Sequence, residues 1–250
     1  MNSALHIGVI DPEVLGTYGD TGNASVLAYR ARARGIDAQI HMIHLNQAIP
    51  TSMDIYVMGG GEDAAQAIAA EHLRANRDFC QKIESGTPLL AICASLQILG
   101  NWYVDARNQR VEGLELLDIT TSPQGHRSIG ELVSEPMFGG LAQELTGFEN
   151  HGGATSLGPD ARPLGIVTAG TGNGGTTAVG QPGLMYDGVA QHGIIATYMH
   201  GPVLVRNPEL ADYLIRQATG MASLEELEMP LLHQLRAERI KAARSQHAQR

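Results

Sequence analysis

Short apolar runs alternate with longer amphipathic stretches through the first hundred residues. Leu5 to Ile10 (L-H-I-G-V-I), Asp37 to Leu45, Ile55 to Met58 and Pro88 to Ile92 read as strands. Between them, Thr17 to Asn23 (T-Y-G-D-T-G-N) is turn chemistry, with Asn23 placed to cap a helix that runs to about Arg34 and stops at Gly35. A second helical stretch follows Gly59-Gly60-Gly61-Glu62-Asp63 and ends at Ser85-Gly86. Strands and helices alternating at this rhythm predict an α/β fold, with a largely parallel central sheet flanked by helices.

After about Trp102 the rhythm changes. Short strand-like pieces appear at Ile129 to Val133, Gly165 to Val167, Gly188 to Ala190 and Ile194 to Tyr198, separated by glycine-rich segments. They predict a mixed or antiparallel extension of the same domain. Thr168 to Pro182 carries too much glycine to sustain an element and reads as a loop. Pro208 to Ala218 reads as a helix. Ser223 to Arg250 reads as a solvated terminal helix, acidic first and basic last, as the helix dipole favours. The expected division is a domain over 1–219 and a helical extension over 220–250, with no internal repeat.

Composition narrows the functional classes. With 43% hydrophobic residues and 17% charged, the chain is ordinary for a soluble globular protein. No apolar run approaches the ~18 residues of a membrane helix. The N-terminus lacks a basic segment, so no secretory signal is expected. Two cysteines fit a reducing cytoplasm and exclude a disulfide scaffold or a cysteine-rich zinc module; no metal site is expected. A net charge of −9 argues against nucleic acid as partner. Lys82 and Lys241, the only lysines, follow no glycine, so no G-x-x-x-x-G-K-[ST] phosphate loop exists. An ATP-driven reaction would need the ATP on another chain.

The two thiols differ in setting. Cys80 falls on one side of a helical pattern with Leu73 and Ile83, as an inert packed cysteine does. Cys93 stands between a buried strand and a helix beginning near Ser95, flanked by Ala91, Ala94 and Ser95. Such a junction can expose the sulfur and aim helix N–H groups beside it, although a packed cysteine at a strand end would read the same way. A thiolate nucleophile needs a histidine. His126 lies in a polar segment beside Arg127. His151 lies in G-F-E-N-H-G-G, and His200 ends I-I-A-T-Y-M-H before Gly201-Pro202. Catalytic groups gather at the carboxyl ends of parallel strands, which favours His200 and leaves His151 as the fallback.

L-L-A-I-C-A-S-L-Q-I-L-G followed by T-Y-M-H-G-P resembles the class I glutamine amidotransferases of the cobyric-acid-synthase type. Y-G-D-T-G-N at 18–23, M-G-G-G-E-D at 58–63, G-F-E-N-H-G-G at 147–153 and G-T-G-N-G-G at 170–175 are similar to the glutaminase subunits of lipid II isoglutaminyl synthases. The resemblance spans about residues 5 to 219.

It implies that Cys93 attacks the side-chain amide of L-glutamine to give a thioester and ammonia, with His200 moving the protons. Backbone N–H groups of Ala94 and of the Gly59–Gly61 loop, Gly60 at its centre, would hold the oxyanion. Arg127 would clamp the substrate carboxylate and Gln97 would line the pocket. A Mur-ligase-like partner (MurT), itself carrying ATP and Mg²⁺, would amidate the D-glutamate α-carboxyl of lipid II. A cobyrinate-type amidation or a non-catalytic scaffold role are the alternatives.

Three features depart from the wider superfamily. Ala91 and Ser95 replace the usual glycines around the cysteine. Proline stands at 202, where a triad acid is usual, so the partner is expected to supply the carboxylate; Glu149 and Asp20 are candidates within the chain, neither assigned. Ala178-Val179-Gly180 stands where an acidic residue is usual.

Overall fold

The computed structural model describes residues 4–137, 139–174 and 183–247. In chain order the elements are β1 (Leu5–Ile10), α1 (Gly22–Arg32), β2 (Ala38–Ile43), β3 (Ile55–Met58), α2 (Asp63–Ala75), α3 (Arg77–Glu84), β4 (Leu89–Ile92), α4 (Ala94–Leu99), β5 (Trp102–Val104), β6 (Arg110–Glu112) and β7 (Ile119–Pro136). They continue with β8 (Leu145–Leu157), β9 (Gly165–Ala169), β10 (Tyr186–Asp187), β11 (Val189–Gln191), β12 (Ile194–Thr197), α5 (Val203–Arg206), α6 (Pro208–Thr219) and α7 (Pro230–His247).

The first sheet has the order β11-β12-β4-β3-β1-β2 and is parallel except for the β11–β12 pair. Its central strands β3, β4 and β12 are buried at every position, which is why they read as unbroken apolar runs. The second sheet runs β10-β9-β7-β5-β6, with β8 antiparallel along nearly the whole of β7. One apolar core spans both sheets, from Ile7 and Val57 to Leu132, Leu145 and Leu157.

Four expectations change. Asn23 is buried inside α1 and does not cap it; its Oδ1 accepts from Leu204 N at 2.9 Å and ties α1 to α5. The helical stretch after Asp63 is two helices, broken at Asn76, whose Oδ1 instead accepts from Ile49 N. Thr168 and Ala169 belong to β9, and Ala178-Val179-Gly180 falls outside the described residues. The terminal helix begins only at Pro230, so Glu225, Glu226 and Glu228 precede it. It is also not merely solvated. Ile240 and Ala243 are buried against Val133 and Ala169, and Arg236 Nε donates to Arg206 O at 2.9 Å.

Candidate active site

The carboxyl ends of β3, β4 and the segment after β12 meet in one pocket. Cys93 follows strand β4, and its backbone sits at φ 51 and ψ −103, a left-handed conformation that side chains rarely adopt. The turn is held from two sides. Cys93 N donates to Thr197 O at 2.9 Å, and Ser95 Oγ donates to Gly59 O at 2.5 Å. Serine in place of glycine thus fastens the elbow to the glycine loop. Ala94, the first residue of α4, leaves its N–H outside the helical ladder and on the pocket wall.

His200 lies three residues past β12. An antiparallel bridge to β8 fixes its backbone, with His200 N donating to Phe148 O at 2.8 Å and Phe148 N to His200 O at 3.2 Å. Its Nδ1 pairs with Asp20 Oδ2 at 2.8 Å, and both side chains are almost wholly buried. The opposite nitrogen, Nε2, is buried and without a hydrogen-bond partner among the described residues. It shares the pocket with Cys93. Burial alone would lower the imidazole pKa, but the bond to Asp20 and the nearby Cys93 outweigh it and push the value up to about 9. The ring is therefore set to hold a proton well, on the side that faces Cys93.

Asp20 corrects two expectations. The acid absent at position 202 is present in the chain, contributed by the loop before α1. Pro202 packs where α1 begins: a Cβ on Gly22 would lie 2.7 Å from its Cγ. Asp20 Oδ2 also accepts from Gly60 N at 2.9 Å. The Gly60 N–H is thus committed to the carboxylate and is not a free oxyanion donor. Gly61 lines the pocket instead, and its N–H has no partner among the described residues. A Cβ at Gly60 would lie 2.6 Å from His200 Cε1, so only glycine permits the Asp20–His200 pair.

Glu149, the other candidate acid, accepts from Thr171 N at 2.8 Å and Gly172 N at 2.9 Å. It anchors the turn after β9 and takes no part in orienting His200. His151 is a strand residue of β8, not a loop residue. It is buried, its Nδ1 bonds Gly153 O at 3.0 Å, and its ring stacks on Tyr198 with centroids 3.9 Å apart. These contacts describe a satisfied core histidine that forms pocket wall.

Arg127 and His126 lie in β7 at the register shift between Pro123 and Ser128. Arg127 reaches the pocket mouth, where Nε donates to Asn150 Oδ1 at 2.5 Å. Its two terminal nitrogens have no partner among the described residues. Gln97 lines the floor, accepting from Gln66 Nε2 at 2.9 Å and donating to Tyr198 OH at 3.1 Å. Cys80 is remote from the pocket and half-buried, and burial raises its pKa. Sequence reasoning passed over Tyr18, Gln66 and Asn150, which all line the same pocket. The nearest signals were Y-G-D-T-G-N and G-F-E-N-H-G-G, read as turn chemistry and as family motifs with no role given to Tyr18 or Asn150.

A thiol beside a buried, carboxylate-paired imidazole and two free backbone N–H groups can attack an acyl carbon and hold the resulting oxyanion. Comparison with known proteins gives the family. Residues 6–208 match the CobB/CobQ-like glutamine amidotransferase domain, and the chain belongs to that family of enzymes. Over 240 residues it is 32% identical to the GatD subunit of the glutamine-hydrolysing lipid II isoglutaminyl synthase of Streptococcus pneumoniae, covering 94% of this chain and 88% of that one. The GatD subunit of Staphylococcus aureus is 35% identical over 206 residues, 82% of this chain and 80% of the relative. A crystal structure of a glutamine amidotransferase has the same fold, with a TM-score of 0.56 at 17% identity over 86% of this chain and 99% of the other.

Proposed function

We propose that this chain is the glutaminase subunit of a lipid II isoglutaminyl synthase. The observation that carries the reading is the Cys93–His200–Asp20 constellation in a chain that aligns along nearly its whole length with GatD subunits. Cys93 Sγ passes its proton to His200 Nε2 and attacks the side-chain amide carbon of L-glutamine. The tetrahedral oxyanion is held by the N–H groups of Ala94 and Gly61. His200, protonated and oriented by Asp20, gives its Nε2 proton to the departing nitrogen, and ammonia leaves with a glutamyl thioester behind. Neutral His200 then takes a proton from the water that attacks the thioester and returns it to Cys93 Sγ as glutamate leaves, restoring the thiol. Arg127 takes the α-carboxylate through its two terminal nitrogens, and Gln97 closes the pocket floor.

Ammonia passes to a Mur-ligase-like partner, MurT, which holds ATP and Mg²⁺ and amidates the D-glutamate α-carboxyl of lipid II. The absence of a phosphate loop from the sequence supports that division of labour, and the cysteine content supports a cytoplasmic setting. Among the described residues, no helix is long and apolar enough to cross a membrane.

The test is reconstitution with the partner, ATP, Mg²⁺ and lipid II. Glutamine should support amidation with the wild-type chain and fail with Cys93→Ala, while ammonium should support both. Glutamine-dependent amidation by Cys93→Ala would refute the reading.

A further inference from the structure

One side chain joins the substrate clamp to the proton-transfer residue. Asn150, on β8, accepts from Arg127 Nε through Oδ1 and donates through Nδ2 to the Tyr18 hydroxyl. Arginine has no acceptor, so the amide can face it only with its oxygen, and Nδ2 is thereby turned to Tyr18. The Tyr18 ring meets the His200 imidazole edge-on, with centroids 4.8 Å apart and planes at 63°. Tyr18 is held at φ 60, an unfavourable backbone conformation for an aromatic residue, although its side chain is 44% exposed. Exposed residues keep such a conformation only where contacts enforce it, and here those contacts are the bond to Asn150, His200, and Phe148 with its ring centroid 6.4 Å away.

We infer that Asn150 is a positioning residue that links Arg127 to Tyr18, so that a substrate carboxylate on Arg127 and the tyrosine cover over His200 are set by one amide. With Nε taken by Asn150, Arg127 presents its terminal edge to the pocket, the edge that matches a carboxylate with two parallel bonds. Tyr18 in turn limits where the imidazole can sit and shields it at the pocket mouth. The inference rests on the glutaminase reading. It adds that recognition of the amino-acid end of glutamine and placement of the general acid are energetically coupled.

The test uses the full-length chain and two electrophiles for Cys93: a glutamine-analogue chloroketone, which carries the α-carboxylate, and iodoacetamide, which does not. Asn150→Ala should slow chloroketone labelling and raise the KM for glutamine by about tenfold, the scale on which small misplacements act. Its iodoacetamide rate should fall far less, because that electrophile makes no use of Arg127. Tyr18→Phe keeps the ring and removes the acceptor, and should give a smaller rise of roughly threefold in KM. The double variant should match Asn150→Ala alone, since the bond lost in Tyr18→Phe is already gone.

Additive effects in the double variant would overturn the coupling. So would an unchanged KM in Asn150→Ala, or an equal loss with both electrophiles, which marks general damage to the site. If the wild-type chain neither hydrolyses glutamine nor reacts with the chloroketone, it is the glutaminase reading that fails.

Discussion

The two sheets divide the work and differ in how they are written in sequence. In the proposed mechanism the parallel sheet supplies the reacting groups at its strand ends: Cys93 after β4, His200 beyond β12 and the glycine loop after β3. The second sheet supplies the walls, through Arg127 on β7 and Asn150 and His151 on β8. The central strands β3, β4 and β12 of the first sheet are covered on both faces and so are almost wholly apolar. Strand β8 (L-T-G-F-E-N-H-G-G-A-T-S-L) crosses the His200 segment at backbone distance and faces a polar pocket, so it carries glycine and polar side chains where apolar ones would mark a strand. A Cβ on Gly147 would lie 2.4 Å from Met199 Cβ, and one on Gly153 would lie 2.6 Å from Gln97 Nε2. Reaction and recognition therefore come from different layers, and substitutions should separate them.

The largest effect is expected at the nucleophile. Cys93→Ala should abolish glutamate release, while Cys80→Ala, away from the pocket, should leave it unchanged; mass spectrometry of the chloroketone-labelled chain should find the adduct on Cys93 alone. On the recognition side, Arg127→Lys replaces a planar fork with a point charge and should raise the KM for glutamine roughly 10- to 100-fold, with a smaller fall in kcat. Steady-state kinetics showing a kcat loss without a KM change would assign Arg127 to the reacting layer. Gly153→Ala should cost about 1–3 kcal/mol in urea unfolding, because its methyl group overlaps Gln97 and Thr121 Cγ2.

The smallest effect concerns pH. The His200 pKa is raised from 6.5 to about 9, so protonation favours the folded state. That stabilisation is complete below about 6.5 and is lost as pH rises through about 9, so the melting temperature should fall across this window. Asp20→Asn should flatten the fall.

Much of the first sheet was legible, because continuous apolar runs and glycine stops need no tertiary knowledge. The strand-end positions of Cys93 and His200 were legible for the same reason, and the place of Arg127 at the same pocket only through the family motif. Asp20 was not. It is 180 positions from His200, in a motif whose glycines suffice to explain it as a turn. Nor could Gly60 be told from Gly61 as an oxyanion donor, since the difference is the carboxylate that occupies one of them. The extent of β7 and β8 was hidden by the polar residues that build the pocket. Asn23 looked like a helix cap because its use, binding Leu204 N across 181 residues, is tertiary.

The central claim is that the orienting acid lies within this chain and not on its partner. Glutamate release by the isolated chain, wild type against Asp20→Asn, measures it directly. With the Cys93–His200–Asp20 set complete, the wild-type chain should hydrolyse glutamine unaided. Asparagine at position 20 can present an N–H to His200 Nδ1 and favour the wrong tautomer, which should lower kcat by about 10²-fold or more in a folded protein. An isolated chain that is inert until the partner is added, or an Asp20→Asn variant as active as wild type, would contradict the account.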